Sequence, residues 1–386
     1  MSEPRLPAPA PAATWQDPQP LPLELGGELA GYRLAYRTWG RLNAAADNAV
    51  IVCHALTGNV DADDWWSALF GDGKALDPAR DFIVCSNVLG GCSGSSGPTD
   101  RDAEGQRLGP RFPALTVRDQ VRAQIRLADA LGVRGIRLVI GGSMGGLQAL
   151  EWALLDPQRV RRVASVAASA RHSTWCIAIS EAQRMALRSD AAFKEGRYAD
   201  DAPPRSGLAA ARAIAMISYR SPGSLGARFD RRSGLEAHGP TARRPDEPAV
   251  RGWLEHHGEA LVRRFDANSY LTLIDAMDRH DVGDGRGGVE AALARITQPV
   301  LVVSIPEDQL YRPEEQQALA RGLPNARLAV LDSAHGHDGF LIDADRLEPL
   351  LRDFLIDSAA VDPDAVAITQ REPDSTVQRS ALENAA

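Results

Sequence analysis

The residues best suited to do chemistry in this sequence gather around one serine. Gly141-Gly-Ser-Met-Gly145 fits the pattern G-x-S-x-G, in which small neighbours allow a turn tight enough to present a strained, exposed serine Oγ. The pattern is preceded by the apolar run Ile136–Ile140 and followed by Leu147, Leu150 and Leu154 at helical spacing. Strand, turn and helix in that order are what a nucleophile elbow requires, so Ser143 is expected to attack an acyl carbon. The Met144 N–H, next in the chain, would face the same space and stabilise an oxyanion.

A serine hydroxyl needs a base, and the base needs an acid to orient it. On a strand–elbow–helix scaffold these follow the serine in the order acid, then histidine. Of the 8 histidines, only His335 and His337 come after the last apolar strand-like run. Both lie in Ser333-Ala-His-Gly-His-Asp-Gly-Phe-Leu341, and the pattern alone does not choose between them. A surface loop histidine is the plain alternative for each. The acid should close the preceding strand, Val300–Ile305, where Pro306-Glu-Asp308 offers Glu307 and Asp308. The shorter aspartate is the commoner orienter, so Asp308 leads; an exposed acidic turn is the other reading. A second oxyanion donor should come from the loop after an early strand. His54-Ala-Leu-Thr-Gly58 follows Ala49–Cys53, which makes the Leu56 N–H the candidate. His54 precedes the serine and is read as structural.

These side chains need a scaffold. Ala49–Cys53, Phe82–Cys85, Ile136–Ile140, Val163–Ala167, Val300–Ile305 and Leu328–Leu331 are short continuous apolar runs bounded by turn residues. Such runs suit strands buried on both faces of a parallel sheet. Leu29–Thr38 alternates and reads as a hairpin-like lead-in. Val117–Leu131 carries a helical apolar stripe that Gly132 ends. Between 173 and 296 only helical patterns recur (Ile177–Arg188, Leu208–Ser218, Trp253–Ala267, Ser269–Asp278), and the strand rhythm resumes at Val300. The expected fold is therefore α/β, an α/β-hydrolase fold with a mostly parallel central sheet. Its core spans residues 23–172 and 297–357, interrupted by a helical lid at 173–296. Residues 1–22, rich in Pro and Ala, read as a flexible leader, and 358–386 as a flexible polar tail.

Composition narrows the function. A net charge of −8 argues against nucleic acid and against a polybasic membrane surface. No apolar run reaches the roughly 18 residues of a spanning helix, and the N-terminal stretch lacks the basic start and apolar run of a signal peptide. Cys53, Cys85, Cys92 and Cys176 show neither C-x-x-C nor paired spacing. Reduced thiols in the cytoplasm, with no disulfide framework and no metal site, are the expectation.

Several motifs together resemble the homoserine O-acetyltransferase family. They are Cys53-His-Ala-Leu-Thr-Gly58, Asn87-Val-Leu-Gly-Gly-Cys92, Ser96-Gly-Pro98, Phe112-Pro113, Gly141-Gly-Ser-Met-Gly-Gly146, Gln148-Ala-Leu-Glu-Trp152 and Gly336-His-Asp-Gly-Phe-Leu341. The resemblance covers roughly residues 25 to 357. It implies His337 as the base, Asp308 in Asp308-Gln-Leu-Tyr-Arg-Pro313 as the acid, and Arg212, Tyr219 and Asp338 as amino-acid contacts. Arginine can hold an α-carboxylate bidentately and aspartate an α-ammonium, freeing the side-chain hydroxyl to react. Without the resemblance, Arg212 and Tyr219 would read as a solvated arginine and a packed tyrosine on a lid helix.

The resemblance further implies acetyl-CoA and L-homoserine as partners, a ping-pong acyl-serine mechanism, a homodimer, and no cofactor beyond acetyl-CoA as co-substrate. Two stretches depart from the family pattern. Thr99–Gly109 differs from the usual loop, and Ser221–Asp246 is arginine-rich, with Arg228, Arg231, Arg232, Arg243 and Arg244. A succinyl donor or a serine acceptor is thus the first alternative, and a serine esterase the second.

Overall fold

Eight strands form one sheet in the computed structural model, which describes residues 12–230 and 248–360. In chain order they are β1 (Ala13–Gln16), β2 (Arg33–Trp39), β3 (Ala49–Cys53), β4 (Phe82–Ser86), β5 (Ile136–Gly142), β6 (Val163–Val166), β7 (Val300–Ser304) and β8 (Ala326–Val330). Their spatial order is β1-β2-β4-β3-β5-β6-β7-β8. All pairings from β4 to β8 are parallel, while β1–β2 and β2–β4 are antiparallel.

The continuous apolar runs are explained by which face each residue feeds, because successive strand side chains point to opposite faces. Val50, Val52, Leu138, Ile140, Leu301 and Val303 join one buried cluster with Trp66, Leu347 and Phe354. The alternate residues Ile51, Val139, Val300 and Val302 join another with Leu150, Trp152 and Leu319. A strand covered on both faces is apolar except where a polar side chain finds a partner, as Ser165 of β6 does with Gly146 O and Arg137 of β5 with Asp81.

Helix α1 (Val117–Ala130) begins at a capping box, in which Thr116 accepts from the Asp119 N–H and Asp119 accepts from the Thr116 N–H. Helix α2 (Met144–Leu155) follows the elbow. The helical insertion then contributes α3 (Thr174–Arg188), α4 (Arg205–Tyr219), α5 (Pro222–Phe229), α6 (Ala249–Val262) and α7 (Ala267–Asp278). Leu208, Ala211, Leu261, Tyr270 and Leu273 of these helices share a buried cluster with Leu56, Met144 and Tyr311 at the carboxyl edge of the sheet. The chain leaves and re-enters the sheet layer through a short antiparallel bridge between Arg171 and Asp281. No helix among the described residues is long and apolar enough to cross a membrane.

Four expectations change. Residues 13–16, placed in the flexible leader, form the edge strand β1, and Trp15 packs edge-on against Tyr32 at 6.0 Å. Leu21–Pro22 pairs with Glu28–Leu29, so the hairpin-like lead-in joins the start of the alternating run to residues upstream of it. The expected helix Trp253–Ala267 stops at Val262, because Asp266 caps the next helix by accepting from the Ser269 N–H at 2.8 Å. Helix α8 (Ala344–Ala360) also runs past 357 into the expected tail, where Ser358 Oγ accepts from Arg162 Nε at 2.6 Å. Residues 1–11 of the leader, 361–386 of the tail, and Arg231, Arg232, Arg243 and Arg244 lie outside the described residues.

Candidate active site

Ser143 stands between β5 and α2 with φ 57° and ψ −125°. For a residue with a Cβ this is a sparsely populated conformation that costs about 1–3 kcal/mol. Its surroundings impose it. The Ser143 N–H donates to Val166 O at 2.9 Å, and its carbonyl accepts from the Gly146 N–H at 2.8 Å. The glycines around it are steric requirements, since a Cβ on Gly141 would lie 2.2 Å from Gly145 O and one on Gly145 2.1 Å from Cys53 O. That second contact also brings the end of β3 against the elbow.

His337 meets the serine. Its Nε2 lies 2.8 Å from Ser143 Oγ, and its Nδ1 lies 2.8 Å from Asp308 Oδ2. The three residues are 5%, 2% and 1% exposed for Ser143, His337 and Asp308, so the chain is shielded from bulk water. Asp308 is itself fixed. Its Oδ1 accepts the N–H groups of Leu310 at 2.8 Å and Tyr311 at 2.9 Å, and its Oδ2 accepts from Gln316 Nε2 at 3.2 Å. Burial pulls the His337 imidazole down, but the charge and hydrogen bond of Asp308, with a smaller push from Asp338, hold it above the ordinary imidazole range.

His335, left level with His337 by the pattern, faces away from the serine. Its Nδ1 lies 3.3 Å from Ser224 Oγ and 3.4 Å from Arg220 Nη1. Glu307 is exposed, and the carboxylate turned inward is that of Asp308.

Leu56 and Met144 share a buried cluster beside the serine. Met144 is the first residue of α2, so its N–H has no partner within the helix and stands at the positive end of the helix dipole. The loop bearing Leu56 is braced by His54. Its Nδ1 lies 2.7 Å from Ala55 O and its Nε2 accepts the Val88 N–H at 3.2 Å. Burial lowers the His54 pKa, which suits a neutral, structural ring. Below the elbow, Gln124 joins Gln148 (2.7 Å) and Trp152 (2.9 Å) in a buried network.

Arg212 and Tyr219, seven residues apart, share one face of α4. The Arg212 guanidinium lies 5.4 Å over the Tyr219 ring, and that ring is 5.5 Å from His337. Among the described residues, no carboxylate pairs with Arg212. Asp338 is engaged, because Arg220 Nε lies 3.2 Å from its Oδ2. Burial pushes the Asp338 carboxyl up, against the nearby charges of Arg220, His337 and Arg212. Arg220 was not singled out by the sequence; next to Tyr219 on a lid helix it reads as solvated. Gln316 was missed for a similar reason, as one polar residue in an amphipathic helix.

Arg228, from the arginine-rich stretch, lies 5.2 Å over its neighbour Phe229. In the divergent loop 99–109, Arg101 pairs with Asp200, and Arg107 pairs with Asp200 and Asp266. That loop is thereby tied to the helical insertion.

Residues 48–344 match the family model described as the alpha/beta hydrolase fold. A curated relative, the homoserine O-acetyltransferase of Trichormus variabilis, is 52% identical over 338 residues, covering 87% of this chain and 92% of that protein. The solved structure of homoserine O-acetyltransferase from Bacillus anthracis superposes with a TM-score of 0.81 at 23% identity, over 89% of this chain and 97% of that one. The acetyl esterase MekB shares the fold at a TM-score of 0.78 and 28% identity, over 90% and 97%. The fold likeness is common to transferases and esterases, whereas identity reaches 52% with the Trichormus variabilis transferase and 28% with the esterase. The chain belongs to the homoserine O-acetyltransferase family of α/β-hydrolase-fold enzymes.

Proposed function

We propose that this protein moves an acetyl group from acetyl-CoA to the side-chain hydroxyl of L-homoserine through an acetyl-Ser143 intermediate, giving O-acetyl-L-homoserine for methionine biosynthesis. The observation that carries the reading is the unbroken chain Ser143–His337–Asp308, with both links at 2.8 Å. In the first half-reaction Ser143 Oγ gives its proton to His337 Nε2 and bonds to the thioester carbon. The C–S bond then breaks, and the coenzyme A thiol leaves with the proton from His337. The Leu56 and Met144 N–H groups hold the oxyanion. In the second, the homoserine hydroxyl gives its proton to His337 and attacks the acyl carbon. The C–Oγ bond breaks, and the proton returns to Ser143.

Arg212 would take the acceptor's α-carboxylate and Asp338 its α-ammonium, with Tyr219 between Arg212 and His337. Water competes at the second step, which gives the helical insertion a role as a lid. The family reading also carries a cytoplasmic homodimer that needs no metal or redox cofactor.

The test is coenzyme A release by purified protein, with acetyl-CoA or succinyl-CoA, each with homoserine, serine or no acceptor. Rapid release only with acetyl-CoA and homoserine is expected. A succinyl or serine preference would replace the donor or acceptor named here. Release without an acceptor would replace the transferase with a hydrolase of the esterase type.

A further inference from the structure

The turn that carries Asp308 is held from outside the sheet. Three consecutive residues after it, Gln309, Leu310 and Tyr311, are each bonded by the first residues of the helical insertion or by His172 just before it. Trp175 Nε1 donates to Gln309 O at 2.7 Å, Cys176 Sγ donates to Leu310 O at 3.2 Å, and His172 Nδ1 lies 2.9 Å from the Tyr311 hydroxyl. The last contact reaches closest to the chemistry. The Tyr311 N–H donates to Asp308 Oδ1, and the Tyr311 ring lies 5.6 Å from that of His337. Tyr311 therefore touches both the acid and the base, and its hydroxyl is anchored to neither.

His172 is well built to anchor it. It is buried, and its backbone N–H donates to His280 O at 2.9 Å, beside the bridge where the insertion leaves and rejoins the sheet layer. On its far side Nε2 lies 3.4 Å from Asp278 Oδ1, and Asp278 is itself paired with Arg184. A carboxylate there favours the proton on Nε2, leaving Nδ1 to accept from the Tyr311 O–H. Burial, helped by the charges of His280, Arg184 and His337, pushes the His172 pKa down to about 3, so the ring stays a neutral acceptor at ordinary pH.

We propose that His172 is a positioning residue for acyl transfer: fixed at the foot of the helical insertion, it tethers the Tyr311 hydroxyl and through Tyr311 orients Asp308 and His337. The inference rests on the acyl-serine reading above, and it makes the seating of the insertion a condition for an aligned acid and base. A small misplacement of such groups lowers the chemical step far more than substrate binding.

The experiment compares full-length Tyr311→Phe, His172→Leu, His172→Asn and the double variant Tyr311→Phe/His172→Leu. Tyr311→Phe keeps the ring against His337 and removes only the tether, and His172→Asn keeps an acceptor near the Nδ1 position. Acetylation of Ser143 by a small activated acetyl ester is followed beside steady-state transfer to homoserine. Tyr311→Phe and His172→Leu should each slow acetylation and kcat about 10-fold with both KM values within about twofold. The double variant should be no slower than the slower single variant, and His172→Asn should restore most of the rate.

Unchanged kcat in folded Tyr311→Phe would overturn the proposal, as would multiplicative losses in the double variant or effects confined to KM. Should His172→Leu fail to fold, Tyr311→Phe and His172→Asn still decide. The ester reports on the aligned acid and base whatever the natural acceptor is. Failure of the transferase reading shows separately, as the unaltered protein's lack of homoserine-dependent turnover.

Discussion

The guanidinium of Arg212 lies 5.4 Å over the ring of Tyr219, and no carboxylate among the described residues forms an ion pair with it. A half-buried arginine, stacked on one face against a ring that itself lies 5.5 Å from His337 and open to pairing elsewhere, suits a substrate carboxylate. A charge-assisted, bidentate contact contributes about 2–3 kcal/mol. Arg212→Ala should therefore raise the KM for homoserine about 30- to 150-fold while leaving that for acetyl-CoA within about twofold. Steady-state kinetics with each substrate varied in turn measures this. An unchanged homoserine KM would return Arg212 to a packing role on α4.

How far the sequence reached follows the physics of each feature. Val300–Ser304 was legible because a strand covered on both faces is almost wholly apolar, and that also located Asp308 just beyond its end. Ser143 was legible because its turn tolerates little but glycine around it. Choosing His337 over His335 was not possible from pattern. The two are separated only by Gly336, and the choice is made by distant residues, Asp308 drawing one ring inward while Arg220 and Ser224 hold the other. The edge strand Ala13–Gln16 stayed hidden because it pairs on one side only and lies in a Pro/Ala-rich stretch. Arg220, Gln316 and His172 were invisible for a common reason. Each owes its place to a partner far along the chain, and nothing in its own neighbourhood marks it.

The histidine choice has a direct pH signature. His337 must be neutral to accept the serine proton, so activity is present above its folded pKa and lost as pH falls through it. That pKa is raised, which puts the acid limb of kcat/KM above the ordinary imidazole range around 6.5. Asp308→Asn removes the largest upward influence, so the limb should move to lower pH while kcat falls about 10³- to 10⁴-fold. His335→Ala should leave both the limb and the rate nearly unchanged, and His337→Ala should abolish turnover. If the limb stays in place in Asp308→Asn, another charge sets it.

Ser143 links stability and activity with opposite signs. Its φ of 57° strains any residue that has a Cβ, and the bonds to Val166 and Gly146 keep the backbone there. Ser143→Ala removes Oγ but keeps Cβ and the strain, so acyl-enzyme and turnover should vanish with stability close to that of the unaltered protein. Ser143→Gly removes both. Relief of about 1–3 kcal/mol of strain is offset by the roughly 0.5–1 kcal/mol that glycine's extra freedom in the unfolded chain costs. The glycine variant should thus be more stable than the alanine variant by about 1 kcal/mol, and equally inactive. Urea unfolding of the two variants, with acetyl transfer measured on the same preparations, checks both halves. A glycine variant less stable than alanine would mean that the elbow's conformation is relaxed in the folded protein, and that Ser143 is held for chemistry without stored backbone strain.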